Sequence, residues 1–259
     1  MKRNVLNLSL GLLSVFLLSS CLDDSEDTYV SYGVIQNKES SNSYEILTDK
    51  GNVLAVSKSH TSQGIENDKR VLVNYEIVSD KDKSKNFYEI KVNWFYNLLS
   101  KPLVKESFIL QDEEVRRDSI GDDPFVGINA WFGGDYLNVN FELWHLQNSD
   151  KKHMINLVYD DLRADADTIY LRLYHNAYGE VPVRDRYYDL YKGLGRCSFK
   201  ISDLLPDGVS SKPVKLTWIQ YGHNSESKEY SDTGVFKLGD TSGKDKAISR
   251  GFDSYIEVK

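Results

Sequence analysis

The chain of 259 residues holds two cysteines, Cys21 and Cys197, and five prolines, and beyond its first twenty residues it has no long apolar run. Two cysteines cannot build the disulfide framework that supports many small exported domains, so the fold must rest on its own core. Cations are the minority, 32 Lys and Arg against 39 Asp and Glu, for a net charge of −7. Binding nucleic acid by bulk charge needs clustered cations and is excluded. Neither Gly-x-Ser-x-Gly nor His-Glu-x-x-His occurs, so the commonest local hydrolase signals are missing. Gly239-Asp240-Thr241-Ser242-Gly243-Lys244 falls one residue short of a phosphate loop, and Asp245 stands where a metal-binding Ser or Thr belongs. Ser198 occupies the position where Gly193-Leu194-Gly195 would need its third glycine for a dinucleotide turn. No internal repeat or low-complexity tract is present. What is there, 40% hydrophobic and 27% charged residues, is the composition of a folded protein with room for one large or two modest domains.

The amino terminus is the most specific feature. Met1-Lys2-Arg3 is basic, and Val5 to Leu18 is apolar apart from Asn7, Ser9 and Ser14. That run is shorter than the ~20 residues of a membrane-spanning helix and fits a signal-peptide core. Leu18-Ser19-Ser20-Cys21 follows and resembles the bacterial lipobox. The resemblance implies cleavage after residue 20, a diacylglycerol on Cys21, and an envelope lipoprotein held in the outer membrane. Several acyl chains anchor durably because each buried CH2 contributes ~0.8 kcal/mol. Residues 21–28 then read as an acidic tether with Asp23, Asp24, Glu26 and Asp27, which resembles the signals that carry lipoproteins to the cell surface. With Cys21 acylated, Cys197 has no partner. Its neighbours Arg196 and Ser198 supply no base, so it reads as a half-buried structural thiol.

Period-two patterning dominates the rest. Val71, Val73, Tyr75 and Ile77 alternate with polar residues, and Tyr88, Ile90, Val92, Trp94 and Tyr96 share one predicted face opposite Glu89, Lys91 and Asn93. Shorter strands are expected near 29–36, 43–49 and 52–58, with Asp49-Lys50-Gly51-Asn52 as the turn between the last two. Five strands in residues 29–110 suit a small closed barrel of the OB type. Gln111 to Asp123 breaks the pattern and reads as a linker, or as a short amphipathic helix. After Pro124, alternation at Leu137–Leu143, Ile169–Leu173, Val214–Trp218 and Phe252–Val258 predicts an antiparallel β-sandwich over 124–259. The fold class is therefore all-β.

The order of these segments resembles the NigD-like lipoproteins. A lipobox precedes Lys69-Arg70-Val71-Leu72-Val73-Asn74-Tyr75-Glu76-Ile77, then Lys91-Val92-Asn93 and Asn97-Leu98-Leu99-Ser100-Lys101. Asp135-Tyr136-Leu137-Asn138-Val139-Asn140-Phe141 and His153-Met154-Ile155-Asn156-Leu157-Val158 continue the likeness. It implies an amino-terminal OB-like domain, a carboxy-terminal β-sandwich, and a link to bacteriocin production or immunity. It brings no catalytic residues.

Candidate sites are few. Trp144, Tyr170 and Tyr174 fall opposite the apolar faces of their strands, where exposed rings could hold a protein or a glycan. Asp160, Asp161, Asp165 and Asp167 crowd one loop and could offer oxygens to Ca2+, although the EF-hand spacing is absent. His145 and His153 flank an expected hairpin turn, short of the ligand count zinc needs. The leading reading is a non-enzymatic protein that binds a macromolecular partner without a cofactor. A glycan-binding lipoprotein is the alternative, and an enzyme with dispersed carboxylates is third.

Overall fold

The computed structural model describes residues 27–40, 43–59, 65–82, 86–147, 149–163, 167–182, 190–222, 226–239 and 248–250. Cys21, Asp165 and the strand expected at 252–258 lie outside the described residues. Strands β1 (Thr28–Ser40), β2 (Ser43–Thr48), β3 (Val53–Ser59), β4 (Arg70–Asp82) and β5 (Phe87–Asn97) close into a barrel in the order β1-β2-β3-β5-β4. Closure pairs β4 back onto β1 and removes the exposed edges. Alternate residues fill the interior: Val71 and Val73 from β4, Ile46 from β2, and Ile90 and Val92 from β5. The β2–β3 turn runs through Asp49-Lys50-Gly51-Asn52 with Gly51 at φ +75°, where a side chain would be strained.

One face of β5 departs from strict alternation. Asn74 pairs with Trp94 but Tyr75 pairs with Val92, so Asn93 is an extra residue, its amide donating to Asn74 Oδ1 at 3.0 Å. This bulge reverses the pleat. Phe95 packs on the barrel core, whereas Tyr96 is 60% exposed and leans on Trp94 with ring centroids 5.1 Å apart.

Beyond the barrel come β6 (Leu99–Ser100), β7 (Val104–Lys105), helix α1 (Glu106–Ile109) and helix α2 (Glu113–Ile120). Gln111–Asp123 thus carries a helix, with Ile120 buried beneath it. The remaining strands are β8 (Gly127–Gly133), β9 (Tyr136–Leu146), β10 (Met154–Tyr159), β11 (Ile169–Asn176), β12 (Leu190–Lys200), β13 (Ser211–Tyr221), β14 (Ser227–Lys237) and β15 (Ile248–Arg250). They form two five-stranded sheets, β14-β13-β11-β10-β7 and β15-β8-β9-β12-β6. Most pairs are antiparallel, but β13 runs parallel to β11, β7 to β10 and β6 to β12. Because β6 and β7 enter different sheets, the connection from the barrel is stitched into both layers of the sandwich. Between the layers lie Leu137, Val139, Phe141, Leu171, Leu173, Leu216 and Trp218. Cys197 sits in this core at 1% exposure, and burial pushes its thiol up, which suits a packing role and not a nucleophile.

The barrel meets the sandwich at a buried charge pair. Arg70, 2% exposed, donates through both terminal nitrogens to the two oxygens of Asp49, each at 2.5 Å. Arg70 also donates to Asn138 Oδ1 at 2.9 Å, and Asn138 returns its amide to Asp49 at 3.0 Å. Ser198 donates to the same Asn138 oxygen at 2.7 Å. The Tyr136 ring lies 4.2 Å from the guanidinium, and Tyr32 meets Trp131 edge-on at 5.1 Å. Gly133 allows the approach, since a Cβ there would collide with the Asp49 carboxylate. Replacing Gly133 with Ala is expected to cost about 1–3 kcal/mol, as overpacking typically does. Urea unfolding of the variant measures it.

Candidate functional site

The outward face of the β14-β13-β11-β10-β7 sheet carries a cleft of about 300 Å³. Alternation builds it: Ile169, Leu171 and Leu173 point into the core, leaving Tyr170, Arg172 and Tyr174 on the other side of β11. The parallel register sets Lys215 beside Tyr170 and Thr217 beside Arg172. Asp160, Arg163, Glu106 and Glu229 complete the walls. Arg163 lies over the Tyr170 ring at 4.0 Å and reaches Asp160 at 3.7 Å. Arg172 bridges Asp122, at 2.9 Å, and Glu229, yet its Nε is buried with no acceptor.

The two helices roof one end of the cleft. Asp161 fixes the start of α1 by accepting from the Ser107 amide at 2.9 Å and its hydroxyl at 2.5 Å. Partial burial works against the carboxylate, but these hydrogen bonds hold Asp161 below its ordinary range. Ile109 and Ile120 then pack with Val158 and Tyr174 in a small cluster of their own. Around it, Phe108, Leu110 and Val115 of the helical segment and Leu162 next to Asp161 are 44–63% exposed.

The residues named from sequence are distributed unevenly. Tyr170, Tyr174 and Asp160 line this one cleft. Tyr174 is not an open platform: it is 7% exposed, covered by the helices, and its hydroxyl accepts from Arg117 at 3.1 Å. Trp144 stands apart on the opposite sheet, half-buried, with Lys192 Nζ 5.8 Å from its ring. Among the aspartates, Asp160 serves Arg163, Asp161 serves Ser107 and Asp167 is exposed. Among the described residues no group of three or more His, Cys, Asp or Glu is placed to hold a metal. The outward positions of β2 and β3 carry Glu45, Leu47, Val53 and Ala55, without the aromatic rings on which single-stranded nucleic acid stacks. No helix among the described residues is long and apolar enough to cross a membrane.

Comparison with known proteins agrees with this architecture. Residues 32–98 match the model of the NigD-like N-terminal OB domain, and residues 107–231 match that of the NigD-like C-terminal β-sandwich domain. The chain belongs to the NigD-like family. A Parabacteroides distasonis structure labelled toxin-related is similar at 26% identity and a TM-score of 0.58, over 83% of this chain and 96% of that one. A NigD-like immunity protein from Bacteroides caccae is similar at 20% identity and a TM-score of 0.59, over 87% and 97% of the two chains. A Bacteroides vulgatus protein of unknown function follows at 19% identity and a TM-score of 0.58, over 80% and 90%. The last two likenesses speak for the fold alone. Among curated proteins no match was found.

The NigD-like sandwich also holds a titratable cluster that the strand pattern did not reveal. β9 and β10 belong to different sheets, so His145 and His153 do not face each other across a hairpin. His145 Nδ1 instead meets the Leu146 carbonyl at 3.1 Å. His153 lies between Glu180, 3.2 Å from its Nε2, and His175, whose Nε2 is 2.9 Å from its Nδ1. Glu180 also accepts from the Leu146 amide at 3.1 Å and from the Ser149 hydroxyl. Burial opposes ionisation, but hydrogen bonds from Ser149, Leu146 and His153 hold the Glu180 carboxyl below its ordinary value. With Glu180 ionised, this order assigns Nε2–H of His153 to Glu180 and Nε2–H of His175 to His153. His175 Nδ1 is then left buried without a partner. The sequence signal was position: His175 follows Ile169, Leu171 and Leu173 at the inward parity of β11, where a polar ring needs a buried partner.

Burial, with the adjacent His153, lowers the His175 pKa from 6.5 to about 4. A depressed histidine favours folding above its unfolded pKa, and that contribution is lost as pH falls through the folded one. The expected loss between pH 6.5 and about 4 is about 3 kcal/mol, at 1.36 kcal/mol per pKa unit. Thermal unfolding across this window measures it. His175→Gln keeps a donor toward His153 and should flatten that limb of the profile.

Proposed function

We propose that this NigD-like chain is a non-enzymatic lipoprotein, anchored through Cys21 in the outer membrane and displayed at the cell surface, that captures a protein partner in bacteriocin-type immunity. The observation that carries the reading is the charged cleft together with the exposed Phe108, Leu110 and Val115 of the helical segment that begins at its Glu106 wall, and Leu162 between its Asp160 and Arg163 in sequence. Apart from Phe108 these groups are aliphatic and give a sugar little to stack on, whereas a protein surface gains by covering them beside a polar centre. Arg163 and Lys215 in the lining favour a partner that offers oxygen acceptors. The labels of the similar structures, toxin-related and immunity protein, point the same way. The glycan alternative keeps one specific support, the half-exposed Trp144 ring on the other sheet.

Cells that lack the chain should become sensitive to a toxin of neighbouring strains, and the wild-type chain should restore protection. Val115→Glu combined with Phe108→Glu should weaken toxin binding tenfold or more while leaving the melting temperature within about 1 °C, as exposed sites do. Unchanged binding would remove the helical border from the reading. A glycan array signal lost on Trp144→Ala, with no protein complex, would favour the sugar alternative. Cys21→Ala should abolish incorporation of labelled palmitate and release the chain from the membrane fraction.

A further inference from the structure

A second cleft, of about 230 Å³, opens where the barrel and the sandwich meet. Its walls come from both units: Tyr32, Thr48, Asp49 and Lys50 from the barrel, Trp131 and Phe132 from β8. Clefts at such joints are favoured places for small ligands, and this one is smaller than the ~300–1,000 Å³ that takes a drug-sized molecule. It therefore has room for a single ring with a short substituent.

The walls are aromatic and fixed. Tyr32 is held by its edge contact with Trp131 and by its hydroxyl, which donates to Asn140 Oδ1 at 3.2 Å. Phe132 is backed by Phe236, with ring centroids 5.7 Å apart. Rings of this kind receive another ring in offset or edge-on contact. The electrostatics are one-sided. Both oxygens of Asp49 are taken up by Arg70, so its charge is neutralised from behind. Lys50, next to it in the turn, is exposed at the mouth and has no ionic partner among the described residues.

We infer that this inter-unit cleft binds a small aromatic carboxylate, its ring against the wall formed by Tyr32, Trp131 and Phe132 and its carboxylate at Lys50. Either a free acid or the carboxy-terminal aromatic residue of a peptide carries this group. The site lies on different elements from the helix-bordered cleft and does not depend on the immunity reading. An occupant would touch the β2–β3 turn and β8 together, so it would stiffen the joint that Arg70 makes.

The full-length chain in detergent-free lipid nanodiscs is titrated with 4-(trifluoromethyl)phenylacetate and with its neutral amide, and 19F line broadening is followed against empty nanodiscs. The acid should bind at least fivefold more tightly than the amide. Lys50→Gln, an exposed substitution that leaves the fold alone, should bring the acid down to the level of the amide. Trp131→Ala should weaken both, provided its circular dichroism matches the wild type. Gly-Gly-Phe with a free carboxylate, set against Gly-Gly-Phe amide, separates the two sources. Competition by the free peptide assigns the group to a chain end, and absence of competition assigns it to a free acid. Equal binding of acid and amide, no effect of Lys50→Gln, or no broadening at millimolar ligand would overturn the assignment.

Discussion

The two halves of this molecule meet where Asn138 and Ser198 of the sandwich hydrogen-bond the buried Arg70–Asp49 ion pair of the barrel. Removing two charges from water costs several kcal/mol per ion, and their attraction repays that only when geometry and further hydrogen bonds are good. Here the pairing is two-pronged, and Asn138 and Ser198 close the remaining positions from the sandwich. The pair itself lies within the barrel, so sliding the sandwich would leave it paired but strip it of the Asn138 and Ser198 hydrogen bonds that satisfy its remaining groups. Gly133, the Tyr136 ring and the Tyr32–Trp131 contact follow from it: each is a feature that lets the two surfaces approach to hydrogen-bonding distance around one guanidinium.

The two clefts inherit their geometry from this joint and from the sheets behind it. The helix-bordered cleft rests on the β14-β13-β11-β10-β7 sheet, whose inner face is packed with Leu171, Leu173, Leu216 and Trp218. Tyr170, Arg172, Tyr174, Lys215, Thr217 and Glu229 project from its strands, while exposed Phe108, Leu110 and Val115 come from the short helical segment pinned by Asp161. The smaller cleft exists because the barrel docks next to β8 and leaves a gap beside the ion pair.

Much of the fold was legible in the sequence because strands buried on one face write their period into the chain. Val71, Val73 and Ile90 could be assigned inward from alternation, and the β2–β3 turn from Asp49-Lys50-Gly51-Asn52. The bulge at Asn93 was not, since an inserted residue leaves no local mark and only the partner strand shows that Phe95 has taken the inward place of Trp94. Site residues were harder still. Tyr170 and Asp160 line one cleft, but that helices would cover Tyr174 depended on where a charged segment folds back. The Arg70 cluster joins residues 21, 68 and 128 positions apart, and the His153–His175–Glu180 chain spans two strands and a turn. Neither has a spacing that a linear reading can recognise.

If the bonds from Asn138 and Ser198 to the Arg70–Asp49 pair hold barrel and sandwich as one body, the two must unfold together. Differential scanning calorimetry of the wild-type chain should give a single transition whose calorimetric and van't Hoff enthalpies agree. Arg70→Ala should lower the first melting event and resolve the trace into two transitions, one for each unit. A wild-type trace already split in two, or an Arg70→Ala trace that shifts without splitting, would contradict the account.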